Sequence, residues 1–117
     1  MVALGVLIVD DNERFRARAR RMLEAGGYRV LAEASDGASA LGCVRRHRPG
    51  LVLLDVQLPD MSGVTVAERL AREPHPPAVV LTSMLDAADL GERLTRAPVR
   101  GFVPKCELSP EAIAALL

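Results

Sequence analysis

Ionisable and hydroxyl side chains follow three short apolar runs of this sequence, each at the point where the run ends. Asp10 and Asp11 follow "LGVLIV", Asp55 follows "LVLL", and Thr82 and Ser83 follow "AVVL". Carboxylates that lie close together repel one another, and they stay ionised at low cost only around a hard cation. Oxygen ligands that leave room for water and a phosphate oxygen suit Mg²⁺. If the fold brings these runs side by side, their ends would form a magnesium and phosphate site.

Lys105 is the only lysine among the 15 Lys and Arg residues of the chain. One explanation is coding bias, because a composition rich in Ala, Arg, Leu, Gly and Pro is typical of GC-rich genes, which use few lysines. The other explanation is a site that needs a compact ammonium on a flexible stem, which a planar guanidinium does not replace. Beside carboxylates and a hydroxyl, a lysine suits phosphoryl oxygens, over which charge spreads during transfer.

The composition predicts a single globular domain that comprises residues 1–117. Apolar residues make up 50% of the chain and charged residues 26%, which excludes a disordered protein. The net charge is zero, so no overall field favours nucleic acid or an anionic membrane, and we expect no direct nucleic-acid binding. Cys43 and Cys106 lack a metal-ligand spacing, and neither a signal peptide nor a membrane-spanning run is visible. These features predict a soluble, cytoplasmic protein with reduced thiols and no membrane contact.

Five short apolar runs alternate with longer amphipathic stretches, which predicts strand followed by helix five times. This pattern is typical of an α/β fold with a doubly wound parallel sheet and helices on both faces. Runs that are apolar throughout fit strands that are buried on both sides. The predicted strands are "LGVLIV" at 4–9, "YRVLAEA" at 28–34, "LVLL" at 51–54, "AVVL" at 78–81 and "GFV" at 101–103.

Residues with capping preferences mark several helix ends in the sequence. Gly26 and Gly27 predict the end of the first helix. Asp36 is placed to cap the second helix, Asp86 the fourth, and Ser109, which precedes a proline, the last.

The predicted fold places all the polar strand ends on one edge of the sheet. In an open α/β sheet, ligands bind outside the carboxyl ends of the strands. Each residue also has a simpler interpretation, because an aspartate after a strand is often a helix cap and Thr82 or Ser83 could begin a turn. Three carboxylates, two hydroxyls and the one ammonium on the same edge nevertheless favour a phosphoryl-transfer site.

Four segments make the chain resemble a receiver domain of the two-component response regulators over essentially its whole length. They are "VDD" at 9–11, "LLDVQLPDMSG" at 53–63, "VLTS" at 80–83 and "GFVPK" at 101–105. The ending "GFVPKCELSPEAI" resembles receivers that precede a helix-turn-helix DNA-binding domain. The resemblance implies the flavodoxin-like strand order 2-1-3-4-5.

The resemblance also implies roles for individual residues around a bound Mg²⁺. Asp55 would be the nucleophile that accepts a phosphoryl group from a kinase phosphohistidine, and it would also bind the metal. Asp11 would ligate Mg²⁺ directly, Asp10 would act mainly through water, and Gln57 would contribute its backbone carbonyl.

The remaining implied roles concern the phosphoryl group and the switch. The Thr82 hydroxyl and the Ser83 backbone N–H would bind phosphoryl oxygens. Lys105 would pair with the nucleophile at rest and with the phosphoryl group afterwards. Phe102 matches the aromatic residue whose rotamer follows Thr82, and Gly63 would open the third helix.

Two positions depart from the family pattern. The family often follows its lysine with a proline in a cis bond, whereas Cys106 follows Lys105 here. A cis bond before a non-proline residue costs roughly 3 kcal/mol, so either that strain is retained or the loop has a different shape. Pro98 stands where a looser Gly-Ala turn is usual.

We therefore expect a phosphorylation-operated signalling switch that catalyses its own modification and is not a turnover enzyme. Its partners would be a sensor histidine kinase and, on phosphorylation, a second copy of the chain, and its output surface would comprise the fourth helix, fifth strand and fifth helix. One alternative is a receiver-like interaction module that works without phosphorylation. Another is a haloacid dehalogenase-type phosphatase, but that family needs an acid two residues after its nucleophile, where this chain has Gln57.

Overall fold

A five-stranded, all-parallel sheet in the order β2-β1-β3-β4-β5 organises the protein. The computed structural model describes residues 4–84, 91, 94 and 96–117. Both the predicted fold class and the predicted strand order are confirmed. The strands are β1 (Gly5–Val9), β2 (Arg29–Ala34), β3 (Leu51–Asp55), β4 (Ala78–Ser83) and β5 (Gly101–Pro104), and the helices are α1 (Glu13–Ala25), α2 (Gly37–His47), α3 (Gly63–Leu70) and a C-terminal helix (Pro110–Ala114).

The strands β1, β3 and β4 are buried on both faces almost throughout, which explains their continuous apolar runs, whereas the edge strand β2 is half-buried and includes Arg29 and Glu33. Leu7 and Leu54 belong to the core under α2 and α3, whereas Ile8 and Leu53 belong to the core under α1 and the C-terminal helix. All five residues of the central strand β3 are buried. Because successive strand residues face opposite sides, one continuous apolar run supplies both cores and fixes the edge at which the polar residues emerge.

Capping side chains define the helix starts largely as predicted. The Asp36 carboxylate accepts a hydrogen bond from the Ser39 N–H at 2.7 Å, and the Ser109 hydroxyl accepts one from the Ala112 N–H at 3.0 Å. Asn12 caps α1 by accepting from the Phe15 N–H. The aspartates that follow β1 are therefore not used as the cap of α1. The predicted cap at Asp86 lies outside the described residues.

The first helix ends at the two glycines that the sequence predicted as its end. Gly26 is the residue at which α1 ends, and Gly27 has a φ of 91°, a left-handed conformation that glycine adopts without strain.

The described helices include none that is long and apolar enough to cross a membrane.

Two glycines with opposite surroundings provide a test of the packing under the site. A Cβ on Gly63, the first residue of α3, would meet the backbone carbonyl of Asp55 and would lie 2.8 Å from the Cα of Val56. A Cβ on Gly42, within α2, would have no atom within 4 Å. Gly63 therefore lets α3 begin directly against the end of β3.

We predict that Gly63→Ala lowers the free energy of unfolding by about 1–3 kcal/mol, because the added carbon forces the backbone apart. The matched control Gly42→Ala should raise it by about 0.5–1 kcal/mol, since alanine loses less backbone entropy in an exposed helix. Urea denaturation measures both changes. Equal stability of Gly63→Ala and the wild type would contradict the close approach of α3 to β3.

Candidate functional site

Three carboxylates converge at the carboxyl ends of β1 and β3. Val9 and Leu54 are partners in the sheet, so Asp10 and Asp55, the residues that follow them, lie side by side. Oxygen atoms of Asp10, Asp11 and Asp55 lie within 4.8 Å of one another. In this strand order the two strands flank the switch point, where ligands bind in doubly wound sheets.

The ammonium of Lys105 lies between two of these carboxylates. Its Nζ is 2.6 Å from Asp10 Oδ2 and 3.3 Å from Asp55 Oδ2. The same Nζ lies 4.3 Å from the centroid of the ring of Phe15, which belongs to α1. Such a position over an aromatic face favours a cation. The lone lysine is therefore part of the acidic cluster, and its shorter contact is with Asp10 rather than with the predicted partner Asp55.

The segment that carries Lys105 differs from the proline-containing loop of the family pattern. No cis peptide bond occurs in the part of the chain that the structure describes, so the Lys105–Cys106 bond is trans. The residues Lys105–Glu107 form a single 3₁₀ turn directly after β5. Of the two shapes that the sequence left open, the loop without a cis bond is the one observed.

Asp10 is fully buried and held by several elements. Its Oδ1 accepts a hydrogen bond from the Asn12 N–H at 2.8 Å, and its backbone carbonyl accepts one from Arg16 Nη1 at 2.7 Å. The Nε of Arg16 in turn donates to Glu33 on β2, and Arg20 donates to the other oxygen of the same carboxylate. Residues from α1 and β2 thus hold the turn that carries the acidic pair.

Arg16 and Glu33 are positioning residues that our sequence reasoning missed. The signal was present, since Glu33 lies inside the apolar run of β2 and a half-buried carboxylate needs a cation. The distance of 17 residues between the two side chains hid the pairing.

Asp11 and the loop after β3 form the open side of the cluster. Asp11 is exposed, in contrast to its fully buried neighbour Asp10. Gln57 is exposed as well, and its backbone N–H donates to Asp55 Oδ1 at 3.0 Å. This hydrogen bond orients the carboxylate of Asp55 and leaves the Gln57 carbonyl, the predicted metal ligand, on the loop beside it.

The hydroxyl of Thr82 is buried next to the nucleophile candidate. Thr82 is the sheet partner of Asp55, and its side chain is fully buried. Its Oγ1 forms no hydrogen bond with any residue that the structure describes. A buried hydroxyl without a partner is costly, and a phosphoryl oxygen at this edge would satisfy it. Ser83, the next residue, is also buried.

Phe102 lies on β5 but is not the direct sheet neighbour of Thr82. Phe102 pairs with Leu81, while Val103 pairs with Thr82. The Phe102 side chain is half-buried and packs against the core under α2 and α3. The structure therefore places the predicted switch aromatic beside β4, one register position before the hydroxyl.

The surroundings raise the pKa of both central groups, which disfavours the charged form of Asp55 and favours the charged form of Lys105. Burial, assisted by the negative charge of Asp10, raises the pKa of Asp55 from 3.8 to about 6, although the Gln57 N–H and Lys105 oppose it. Burial alone would lower the pKa of Lys105, but its hydrogen bond to Asp10 and the two carboxylate charges raise it overall. Ionisation of the Asp55 carboxyl group is therefore costly in this site, while the Lys105 ammonium stays protonated.

The cluster fits a divalent cation by its donors and by its charge. Three carboxylates against one ammonium leave an excess of two negative charges. All the donors are hard oxygen atoms, and exposed Asp11 leaves room for water ligands, as Mg²⁺ requires. Asp10, Asp11, Asp55 and the Gln57 carbonyl are therefore suitable metal-binding groups.

The fold and the site together define a doubly wound α/β domain with an acidic, lysine-containing cluster at its switch point. The family model described as the response regulator receiver domain matches residues 6–117, and the chain belongs to that family. It is a receiver domain of the kind found in two-component response regulators.

Individual relatives agree with this assignment. The chain is 34% identical to the polar-differentiation response regulator DivK of Brucella anthropi, over 86% of this chain and 83% of that protein. It is 35% identical to the transcriptional regulatory protein PdtaR of Mycobacterium tuberculosis, over 86% of this chain and 48% of the relative. The solved receiver domain of the response regulator NarL from Mycobacterium tuberculosis superposes with a TM-score of 0.87 at 29% identity, covering 99% of this chain and 98% of that one.

Several of the curated relatives are much longer than the matched segment. The chain spans 48% of PdtaR and 25% of a protein-glutamate methylesterase/protein-glutamine glutaminase of Hahella chejuensis, to which it is 40% identical over 86 residues. The similarity to these proteins therefore concerns their receiver portion.

The raised pKa of Asp55 predicts a pH-dependent gain of stability in Asp55→Asn. A folded-state pKa above the unfolded value means that ionisation costs stability as pH rises from about 4 through about 6. In the metal-free protein at pH 7, the variant should unfold with a free energy about 1–3 kcal/mol above that of the wild type. Below about pH 4 the carboxyl is protonated in both states, so the gain should vanish.

Urea denaturation at a series of pH values, with chelator present, measures this difference. Glu107→Gln, which changes an exposed carboxylate, is the matched control and should stay within about 0.5 kcal/mol of the wild type. A gain in Asp55→Asn that is the same at pH 4 and pH 7 would rule out ionisation as its cause.

Proposed function

We propose that this chain is a phosphorylation-operated switch in which Asp55 accepts a phosphoryl group from a sensor histidine kinase with the aid of Mg²⁺. The observation that carries the proposal is the convergence at one sheet edge of three carboxylates, the lone lysine and a buried hydroxyl that has no partner among the described residues. Each of these groups has a task in phosphoryl transfer. We take residues 1–117 as one receiver domain.

The residues of the chain act on the phosphoryl group in a simple sequence. A carboxylate oxygen of Asp55, oriented by the Gln57 N–H, forms a bond to phosphorus as the bond from phosphorus to the histidine nitrogen breaks, and the nitrogen keeps the electron pair. Lys105 then exchanges its contact with Asp55 for a phosphoryl oxygen while it keeps Asp10. Bound Mg²⁺ would neutralise charge on the phosphoryl oxygens.

Thr82 and Phe102 would convert the modification into a change of surface. A phosphoryl oxygen would give the Thr82 hydroxyl the partner that it does not find in the described part of the chain, and the Ser83 N–H would bind another oxygen. Because Leu81 pairs with Phe102, a movement of β4 reaches the half-buried aromatic ring directly. The predicted output surface includes the fourth helix, most of which lies outside the described residues. We infer that the changed surface controls an output domain or partner and promotes pairing of two copies.

The relatives and the composition of the chain support a proposal for its output function and its cellular compartment. PdtaR is named a transcriptional regulatory protein and is about twice the matched length, so we infer an output function of that class for the whole protein. The receiver itself has no net charge to favour DNA. Both Cys43 and Cys106 are free thiols, which suits the reducing cytoplasm.

Substitution of the proposed nucleophile and metal ligand tests the core of the proposal. Asp55→Asn should take no phosphoryl group from acetyl phosphate, because an amide is not a nucleophile. Asp11→Ala should react more slowly and bind Mg²⁺ more weakly, because the metal loses a charged oxygen. Intact-mass spectrometry and magnesium titration followed by NMR measure these effects.

The control Glu111→Gln changes an exposed carboxylate on the C-terminal helix and should behave as the wild type. Phosphate uptake by Asp55→Asn would show that another residue accepts the group, whereas no uptake by the wild type would favour a module that works without phosphorylation.

The lone lysine gives a second test, because its charge can be kept while its shape is changed. Lys105→Arg should slow phosphorylation by acetyl phosphate about tenfold or more, equivalent to about 1.4 kcal/mol, since a planar guanidinium does not replace a point charge between two carboxylates. It should also weaken any self-association that beryllofluoride induces, as measured by light scattering. The control Arg100→Lys exchanges an exposed cation before β5 and should be silent. Wild-type rates in Lys105→Arg would show that the lysine only reflects coding bias.

A further inference from the structure

The loop between β3 and α3, residues 56–62, is fixed at both ends by backbone hydrogen bonds. At its start the Val56 N–H donates to the Thr82 carbonyl at 2.9 Å, and at its end the Gly63 N–H donates back to the Val56 carbonyl at 2.7 Å. An antiparallel bridge joins Gln57 to Ser62. Between these two residues the loop needs another support if the Gln57 carbonyl is to keep one position.

Asp60 provides this support by binding the first turn of a different helix. Its Oδ1 accepts a hydrogen bond from the Gly37 N–H at 2.8 Å, and its Oδ2 accepts one from the Ala38 N–H at 3.0 Å. These contacts span 23 and 22 residues of sequence. The N–H groups at a helix start lack partners within the helix, and its dipole favours a negative charge there. The two N–H groups accordingly lower the pKa of Asp60, so the carboxylate is ionised at neutral pH.

An apolar contact lies directly beside this pair of hydrogen bonds. Gly37 is buried, and a Cβ at that position would lie 2.6 Å from Cγ of Met61. The absence of a side chain on Gly37 therefore lets Met61 pack closely against α2. Two adjacent loop residues thus join the loop to the helix start, Asp60 by two hydrogen bonds and Met61 by an apolar contact.

Helix capping alone does not account for Asp60. Asp36 already caps α2 through the Ser39 N–H, in the usual way and from the residue just before the helix. Asp60 adds a carboxylate from the loop that carries Gln57. That loop also supplies the N–H that orients Asp55. Any freedom gained by the loop would reach both the carbonyl and the carboxylate that are suited to bind the metal.

We infer that Asp60 is a positioning residue, which ties the loop after β3 to the first turn of α2 and so sets the Mg²⁺ affinity of the site and the reactivity of Asp55. The inference rests on the proposed function and adds a residue that does not touch the metal or the phosphoryl group. Because coupling between sites is reciprocal, Mg²⁺ binding must also tighten the attachment of the loop to α2.

Alanine substitutions at the two carboxylates of the α2 start separate positioning from capping. Asp60→Ala and Asp36→Ala each remove a carboxylate from the same helix end, so both should lower the midpoint of thermal unfolding by a few degrees. Only Asp60→Ala should weaken Mg²⁺ binding, by about fivefold, and slow the reaction with acetyl phosphate. Asp60→Asn should fall between Asp60→Ala and the wild type, because its amide oxygen still accepts a hydrogen bond from one N–H.

Magnesium titrations followed by NMR and intact-mass spectrometry measure the two effects. The effect of Mg²⁺ on hydrogen exchange of the Gly37 and Ala38 amides adds a readout that capping alone would not produce. Mg²⁺ should slow that exchange in the wild type and in Asp36→Ala, but not in Asp60→Ala. Equal Mg²⁺ affinity of Asp60→Ala and the wild type, or an equal loss in Asp36→Ala, would overturn the inference. A wild type that takes no phosphoryl group would overturn the proposed function instead, and the Mg²⁺ comparison would still decide the role of Asp60.

Discussion

The repulsion among three carboxylates at one end of the sheet is the constraint to which the surrounding structure responds. Asp10 and Asp55 are buried side by side, and burial makes each charge costlier than it would be in water. Lys105 offsets part of that cost, and the ring of Phe15 lies over the same ammonium. The remaining negative charge is what makes the site attractive to a divalent cation. A site that is unfavourable when empty is thereby prepared to gain free energy from metal and phosphoryl binding.

The supporting interactions are arranged so that this unfavourable cluster cannot relax by moving apart. The Arg16 guanidinium holds the backbone on the β1 side through the Asp10 carbonyl. On the β3 side, the closely packed Gly63 and the two hydrogen bonds of Asp60 restrict the loop. These contacts with α1, α2 and α3 hold the backbone segments that carry the charges, so that the carboxylates stay close together before a ligand binds.

The fold and the chemical content of the site could be predicted because both depend on short-range sequence patterns. Continuous apolar runs identify strands buried on both faces, and parallel strands bring the residues that follow them to one edge. That argument places Asp55 and Thr82 together without any knowledge of contacts. The roles of Phe102 and Gln57, in contrast, came only from the resemblance to receiver domains.

The supporting contacts could not be predicted in the same way, since they join residues that are distant in the chain. Arg16 and Glu33 are 17 residues apart, and Asp60 binds N–H groups 22 and 23 residues earlier. In the sequence each is an ordinary charged residue on a helix, a strand or a loop. The shorter contact of Lys105 with Asp10 rather than Asp55 likewise depends on the 3₁₀ turn after β5, whose trans geometry the sequence left open.

The position of β5 at the edge of the sheet, where β4 is its one neighbour among the described strands, has a consequence for synthesis on the ribosome. The strands that carry all three carboxylates emerge first, and the segment with the compensating ammonium emerges after them. Until β5 docks, the nascent domain holds its acidic cluster without the ammonium of Lys105, the one cation that the described residues place between these carboxylates. We expect cellular Mg²⁺ to offset the repulsion among the carboxylates at that stage, until the lysine arrives.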